Sequence, residues 1–246
     1  MPREIALVLR KPNYLPDNLS ASKEIKSKAQ RDPIQVDRAA GGAGLQFVQL
    51  VEELLDNWGE NPPQVLRNGG LAQRDLTIAA KICNEDETIA ALLAEVAYSA
   101  GLLAPGDDKE QVWLPTPAFD VWRTKKIEER WAILAEAWLT TTRVASLVGK
   151  VGEIRINALS PEVDKPLAPE IRSLVLDAMS SLAPGSEPDA ETIIDFVSWL
   201  RPRKPREEIE TLIGGIVHEF EEVAGLESEV TEQPSVANIK ALLEEM

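Results

Sequence analysis

Apolar residues recur at helical spacing in several stretches of the chain, and each such stretch predicts a helix with one buried face. Leu45, Val48, Val51, Leu54, Leu55 and Trp58 share one side of a helix predicted over 45–58, with Glu52, Glu53 and Asp56 on the other. Gly41, Gly42 and Gly44 precede it, and Gly59 with Pro62-Pro63 stops it. A second helix is predicted over about 73–82, with Leu76, Ala79, Ala80 and Ile82 inward. Asn84-Glu85-Asp86-Glu87 then supplies a turn and an acidic first turn for a third helix, where negative charge suits the helix dipole. Ile89, Leu92, Leu93, Val96, Ala97 and Ala100 form its inner face, and Gly101 stands where a helix-ending glycine belongs.

The pattern changes on either side of these helices. Gln64-Val65-Leu66-Arg67 before Asn68-Gly69-Gly70 predicts a short strand and turn. Leu102-Leu103 and Val112-Trp113-Leu114, separated by Pro105-Gly106-Asp107-Asp108, predict a hairpin closed by Pro115 and Pro117. Strand, two helices in tight succession and a hairpin is the order of a winged helix-turn-helix. An unrelated helical bundle with one hairpin is the alternative. Another helix is expected over 127–141 through Ile127, Trp131, Leu134, Ala135, Trp138 and Leu139. Trp113, Trp122, Trp131 and Trp138 read as packing anchors rather than a ligand cage.

The flanks are less regular. Glu4 to Leu9 reads as an early strand or docked arm, and 13–38 as a loop or linker with a weak helix near Ser22. Residues 146–166, with Gly149, Gly152, Pro161 and Pro166, read as a linker. Beyond it a helix is expected over about 169–182, with Ile171, Leu174, Val175, Ala178 and Leu182 inward. Asp189 caps a helix carrying Ile193, Ile194, Val197 and Leu200, and a third spans Ile209 to Phe220. Ala224-Gly225-Leu226 echoes Ala100-Gly101-Leu102, a hint of two degenerate copies of one unit; Val236 to Leu243 suggests a short terminal helix.

The expected fold class is therefore mainly α: a winged helix-turn-helix unit with a small β-hairpin, followed by a second helical, degenerate winged-helix-like unit. The expected division is 1–61 for an N-terminal strand, linker and lead helix, 62–145 for the winged-helix domain, 146–166 for a linker and 167–246 for the second unit.

Composition narrows the functions. The chain has 246 residues, a net charge of -15 and one cysteine, Cys83, so no internal disulfide is available. With no apolar run near the roughly 20 residues of a membrane span and no signal-peptide pattern at Met1, the expectation is a cytoplasmic protein with no membrane partner. The charge opposes wholesale wrapping by nucleic acid. Its distribution is uneven, with 8 basic and 5 acidic residues in 1–38, 7 and 4 in 123–155, but 5 and 14 in 166–230.

Candidate chemistry is thin. His218 is the only histidine, so neither a catalytic triad with spare ligands nor a polyhistidine metal site can be built; His218 with Glu222 reads as a helix-surface pair. Cys83 closes an apolar helix face and reads as a small buried hydrophobe. Gly149-Lys150 lacks the rest of a phosphate loop, since Val144 stands where glycine is needed and Val151 follows the lysine. Asp107, Asp108 and Glu110 read as a solvated acidic turn, and paired carboxylates elsewhere as helix exterior. No cofactor or metal is expected, and the chain reads as a non-enzyme.

For DNA, the third helix would be the reading element of a winged helix. It begins Asn84-Glu85-Asp86-Glu87-Thr88 and has no Lys or Arg through Gly101, so the usual docking is disfavoured. Backbone contact is left to basic clusters: Arg123, Lys125, Lys126 and Arg130; Arg201, Arg203, Lys204 and Arg206; and Lys23, Lys26, Lys28 and Arg31.

Several stretches resemble a bacterial helicase-associated family carrying an XPB-type helicase C-terminal domain. They are Pro2-Arg3-Glu4-Ile5-Ala6-Leu7 with Arg10, Pro63 to Leu71 with Arg74-Asp75-Leu76, Trp113-Leu114-Pro115-Thr116, Arg130-Trp131 to Trp138-Leu139, and Leu167 to Arg172. These are packing and turn motifs, and none belongs to a helicase motif, so no catalytic residue carries over. The resemblance implies longer proteins whose helicase-like domain follows such winged-helix repeats, and hence an internal piece of such a protein. It also implies a DNA-related role, with the helicase-like domain and DNA as partners. The expected function is a non-catalytic winged-helix module of a helicase-associated DNA-binding or regulatory protein. The alternative is a winged-helix-derived protein–protein scaffold without nucleic-acid contact.

Overall fold

In a computed structural model of the chain, which describes residues 24–67, 69–106, 111–151, 154–200 and 214–216, Asp32 opens the longest helix. Its carboxylate accepts from the Ile34 amide at 3.0 Å, and Pro33 occupies the first turn, where its missing N–H costs nothing. Helix α1 spans Pro33–Glu60 and so takes in the second part of the stretch 13–38, which the sequence assigns to a loop. Gly41, Gly42 and Gly44 lie inside α1, not ahead of it. Gly44 has a packing reason, since a Cβ there would meet the Trp131 ring at 3.6 Å. Just before α1, strand β1 (Ser27–Gln30) also falls in the presumed loop.

Helices α2 (Gln73–Cys83) and α3 (Glu87–Ser99) meet at a tight corner. Asn84 supplies a left-handed residue (φ 53°), and Asp86 caps α3 by accepting from Thr88 and Ile89 amides at 2.8 and 2.9 Å. Gly101 (φ 71°) then ends the helix, and β2 (Leu103–Pro105) pairs antiparallel with β3 (Trp113–Pro115). The hairpin lies one residue further along than the apolar runs suggest. Bridges from Gln64 to Val112 and from Val65 to Leu71 bring the expected short strand alongside it.

Helix α4 (Pro117–Arg123) is unpredicted; Thr116-Pro117 starts it, and it buries Phe119 and Trp122. Helix α5 (Ile127–Thr140) follows. The stretch expected as a linker, 146–166, instead contains the hairpin β4 (Gly149–Val151) and β5 (Ile154–Ile156) and a 3-10 turn at Pro161–Val163. It is held because Ala158, Leu159, Ser160 and Val163 are buried against the helices. Helices α6 (Ala168–Ser180) and α7 (Ala190–Leu200) form the second helical layer, with β6 (Ser186–Pro188) between them pairing antiparallel with β1. The expected third helix of this unit lies outside the described residues except for 214–216, as do the segment 4–9 and the terminal segment 236–243.

Among the described residues the chain is thus mainly helical with small antiparallel sheets, and none of its helices is long and apolar enough to cross a membrane. Two apolar clusters carry it. The larger runs from Phe47 on α1 through α2, α3, the β2–β3 hairpin, α4 and Leu134 to Leu159; the smaller joins Val144, Leu147, α6, α7 and Ile216. The clusters interleave along 144–159, and Trp138 packs against both.

Candidate functional site

Three regions matter for function: the helix that would read DNA, the basic cluster beside it, and a buried polar centre between the two apolar clusters.

Helix α3 is covered on every side from Ala90 to Ala97, while Glu87 is exposed and Thr88 and Ile89 are half-buried. Each residue from Ala90 to Ala97 is buried, including Glu95 at 2% exposure. It packs against α1, α2, α5, β2 and the 3-10 turn Ala145–Leu147. A helix that enters a groove needs an exposed face carrying donors. No such face exists along the middle of α3.

Of the first basic cluster, Arg123 and Arg130 pair with carboxylates on α1, Arg130 largely covered and Arg123 still exposed. Arg123 meets Asp56 Oδ1 at 2.6 Å and Glu52 Oε1 at 3.4 Å, and sits 5.3 Å over the Phe119 ring. Arg130 pairs with the other Glu52 oxygen and lies 4.3 Å over the Trp122 ring, whose indole N–H donates to the Arg130 carbonyl at 3.1 Å. These guanidinium groups tie α4 and α5 to the acidic side of α1. Lys125 and Lys126, at the α4–α5 turn, are exposed. Arg201, Arg203, Lys204 and Arg206 lie outside the described residues, as do His218, Glu222, Asp107, Asp108 and Glu110. Among the described residues no group of three or more His, Cys, Asp or Glu is placed to hold a metal ion.

The polar centre is the feature that sequence reading missed. Paired carboxylates read as helix exterior in the sequence, and Glu95 carries no reading there; it is buried in the middle of α3, and Asp75 is nearly so. Glu95 accepts from Arg143 Nε, from Arg143 Nη2 at 3.3 Å and from the Leu159 amide at 2.6 Å. Arg143 also donates to the Ser160 carbonyl at 2.9 Å and to Asp164 at 3.3 Å, and lies 4.9 Å over the Tyr98 ring. Arg172 on α6 is fully buried; it donates to the Thr141 carbonyl at 2.5 Å and the Arg143 carbonyl at 2.6 Å, and covers Trp138 at 4.8 Å. The 141–144 segment is therefore gripped from both clusters at once.

Burial pushes the Glu95 carboxyl upward, against the pull of the Arg143 guanidinium and the Leu159 amide. Burial also opposes charge on Arg143, but its hydrogen bonds to Glu95 and the neighbouring negative charges outweigh that and hold it above its ordinary value. Leu159, whose amide donates to Glu95, adopts φ 60°, a conformation costly for a non-glycine residue. Gly70 (φ 92°) lies against the same loop, where a Cβ would stand 2.9 Å from the Ala158 carbonyl oxygen. The Leu71 amide donates to that oxygen at 2.7 Å, and Trp113 donates to the Gly70 carbonyl at 3.2 Å. The one sequence signal was a lone carboxylate inside the apolar run Ala90 to Ala97. Glu95 bonded to Arg143 and the Leu159 amide, with Arg143 bonded on to Ser160 and Asp164, joins α3 to the 141–164 segment.

Cys83 is buried, with its thiol pushed up to about 12 by burial and by the charges of Glu53 and Glu85. That shift favours the neutral thiol over the reactive thiolate.

The chain matches no family model, no curated protein and no solved structure.

Proposed function

We propose that this chain is a non-catalytic, winged-helix-derived scaffold that works through protein contacts and does not read DNA bases. The winged-helix reading is supported by element order: α1, the Val65 bridge, α2, α3 and the β2–β3 hairpin, with Gln64 bridged to Val112 at the hairpin's edge. The scaffold reading is carried by one observation, the burial of α3 from Ala90 to Ala97. In a DNA reader that helix presents side chains to the major groove; here it is the centre of the larger apolar cluster. Placement in a helicase-associated protein rests on the sequence resemblance alone, and the helicase-like domain of such a protein is then the natural partner.

The test is a titration of the chain against labelled duplex DNA at low salt, about 50 mM, where backbone attraction is strongest. No saturable binding is expected. The exposed pair Lys125 and Lys126 favours one competing reading, backbone contact at the α4–α5 turn. Tight, salt-sensitive binding that disappears in Lys125→Glu/Lys126→Glu would establish that reading and overturn the scaffold.

A further inference from the structure

The segment Glu24–Asp32 lies on the second helical layer as a strap. Its strand β1 pairs with β6, and further main-chain bonds run from the Arg31 amide to the Gly185 carbonyl (2.8 Å) and from the Asp189 amide to the Lys26 carbonyl (2.9 Å). The Lys26 amide donates to Thr192 Oγ1 at 3.1 Å, and Gln30 Nε2 to the Pro184 carbonyl at 2.7 Å. Charge is complementary: Arg31 meets Glu187 at 3.2 Å and Lys28 meets Asp189 at 3.6 Å. Gly185 fits the strap specifically. It has φ 81°, and a Cβ there would collide with the Arg31 carbonyl oxygen and come within 3.2 Å of Pro33.

This seat is well shaped and weakly held. All four residues of β1 are exposed, and Ile25, only partly buried, is the strap's one side chain packed on the smaller apolar cluster. Segments with few buried apolar contacts and solvent-exposed backbone bonds open without global unfolding. The following stretch of α1, from Pro33 to Gly42, is exposed except for the half-buried Val36. A Cβ on Gly41 or Gly42 would meet nothing within 4 Å. The strap is thus tethered to the larger cluster by a bare helical stretch with a weak point in it.

We propose that the Gly185–Asp189 seat is a strand-addition site for an extended basic segment of a partner protein, occupied in cis by the chain's own strap. Main-chain pairing with β6 supplies the attachment, and Glu187 and Asp189 select basic side chains, the division of labour typical of strand addition. This rests on the scaffold reading in naming the partner's chemistry, but its residues lie away from Lys125 and Lys126. DNA binding there defeats the scaffold without altering the outcome at the seat.

The experiment uses the full chain and a labelled peptide with the sequence of Glu24–Asp32. The strap is weakened by Lys28→Glu/Arg31→Glu, and the seat is then blocked in that background by Gly185→Ala. The peptide should bind the strap-weakened chain about tenfold or more tighter than the unaltered chain, since the competing strap is lost. Gly185→Ala should abolish that binding while α3 amides stay protected from hydrogen exchange. No binding to the strap-weakened chain, or equal binding with the seat blocked, overturns the proposal. A measurement without variants guards against misfolding. In the unaltered chain the Arg31 and Asp189 amides should exchange faster than that of Leu93, and faster still in high salt. Exchange of all three at one common rate means the strap never opens, and the proposal falls.

Discussion

Replacing Glu95 with leucine leaves the Arg143 guanidinium buried with only the Ser160 carbonyl and the half-exposed Asp164 for partners. At the 3.3 Å spacing of Nη2 and Oε1, unit charges attract by about 5 kcal/mol at an effective dielectric of about 20. The Leu159 amide also loses its acceptor, a loss of about 1–3 kcal/mol for a buried group. Removing the buried carboxylate also removes its desolvation cost, which offsets part of these losses, so Glu95→Leu should destabilise the fold by about 3–5 kcal/mol, the range for breaking a buried ion pair. Arg143→Met strands Glu95 among Leu92, Leu93 and Val96 and should cost about 3–5 kcal/mol. The double variant holds no stranded charge and only the unsatisfied Leu159 amide and Ser160 carbonyl, so it should lose about 2–3 kcal/mol rather than the sum. Urea unfolding followed by tryptophan fluorescence and circular dichroism measures all three. Additivity within about 0.5 kcal/mol would refute the reasoning, because it would show that Glu95 and Arg143 act independently.

Other substitutions probe the elements that the sequence pattern did not predict. Gly41→Ala and Gly42→Ala should each stabilise the chain by about 0.5–1 kcal/mol, since both occupy open helical positions; a loss of stability in denaturant unfolding would contradict the placement of α1 from Pro33. Gly70→Ala should cost about 2–3 kcal/mol through its φ of 92° and the clash with the 158–160 loop, and an unchanged melting curve would show that this loop is not packed there. Cys83 should ignore iodoacetamide in the native chain at about pH 8 and react once unfolded, because its thiol is pushed up to about 12; rapid native labelling detected by mass spectrometry would rule out its burial.

How far the sequence discloses this molecule depends on whether a segment's order comes from its own pattern or from its neighbours. Helices α2, α3 and α5 are legible because their apolar periodicity and caps are local: Asp86 and Gly101 bound α3 by themselves. The first turns of α1 are not, because Gln35, Asp37, Arg38 and two glycines give no apolar stripe and this stretch buries almost nothing. The 146–166 stretch fails for the opposite reason. Its Gly and Pro content reads as a linker, while its position is fixed by distant partners: Glu95 sixty-four residues before Leu159, and Gly70 against Ala158. Strand β1 shows the same long reach, since its pairing partner lies near 187 and nothing in Ser-Lys-Ala-Gln predicts it. The basic cluster was legible as residues but not as a surface. The carboxylates that neutralise Arg123 and Arg130 sit on α1, far away in sequence.

The same distinction explains why a helix-turn-helix order need not mean DNA reading. Helix α3 has no basic residue from Glu87 to Ser99, and Ala90, Ala91, Ala94 and Ala97 are among its buried residues. Small residues permit close approach, and α5 and the 3-10 turn Ala145–Leu147 pack against α3. Uncovering α3 would mean breaking the Glu95–Arg143 pair and exposing Leu92, Leu93 and Val96, at about 1.5–3 kcal/mol for each apolar side chain in addition to the ion pair. That total approaches the whole stability of an ordinary domain, about 5–15 kcal/mol. Phosphate contacts without base reading would not repay it on a chain of net charge -15, whereas a partner that displaces the strap from its seat, or binds the α4–α5 turn, leaves α3 covered.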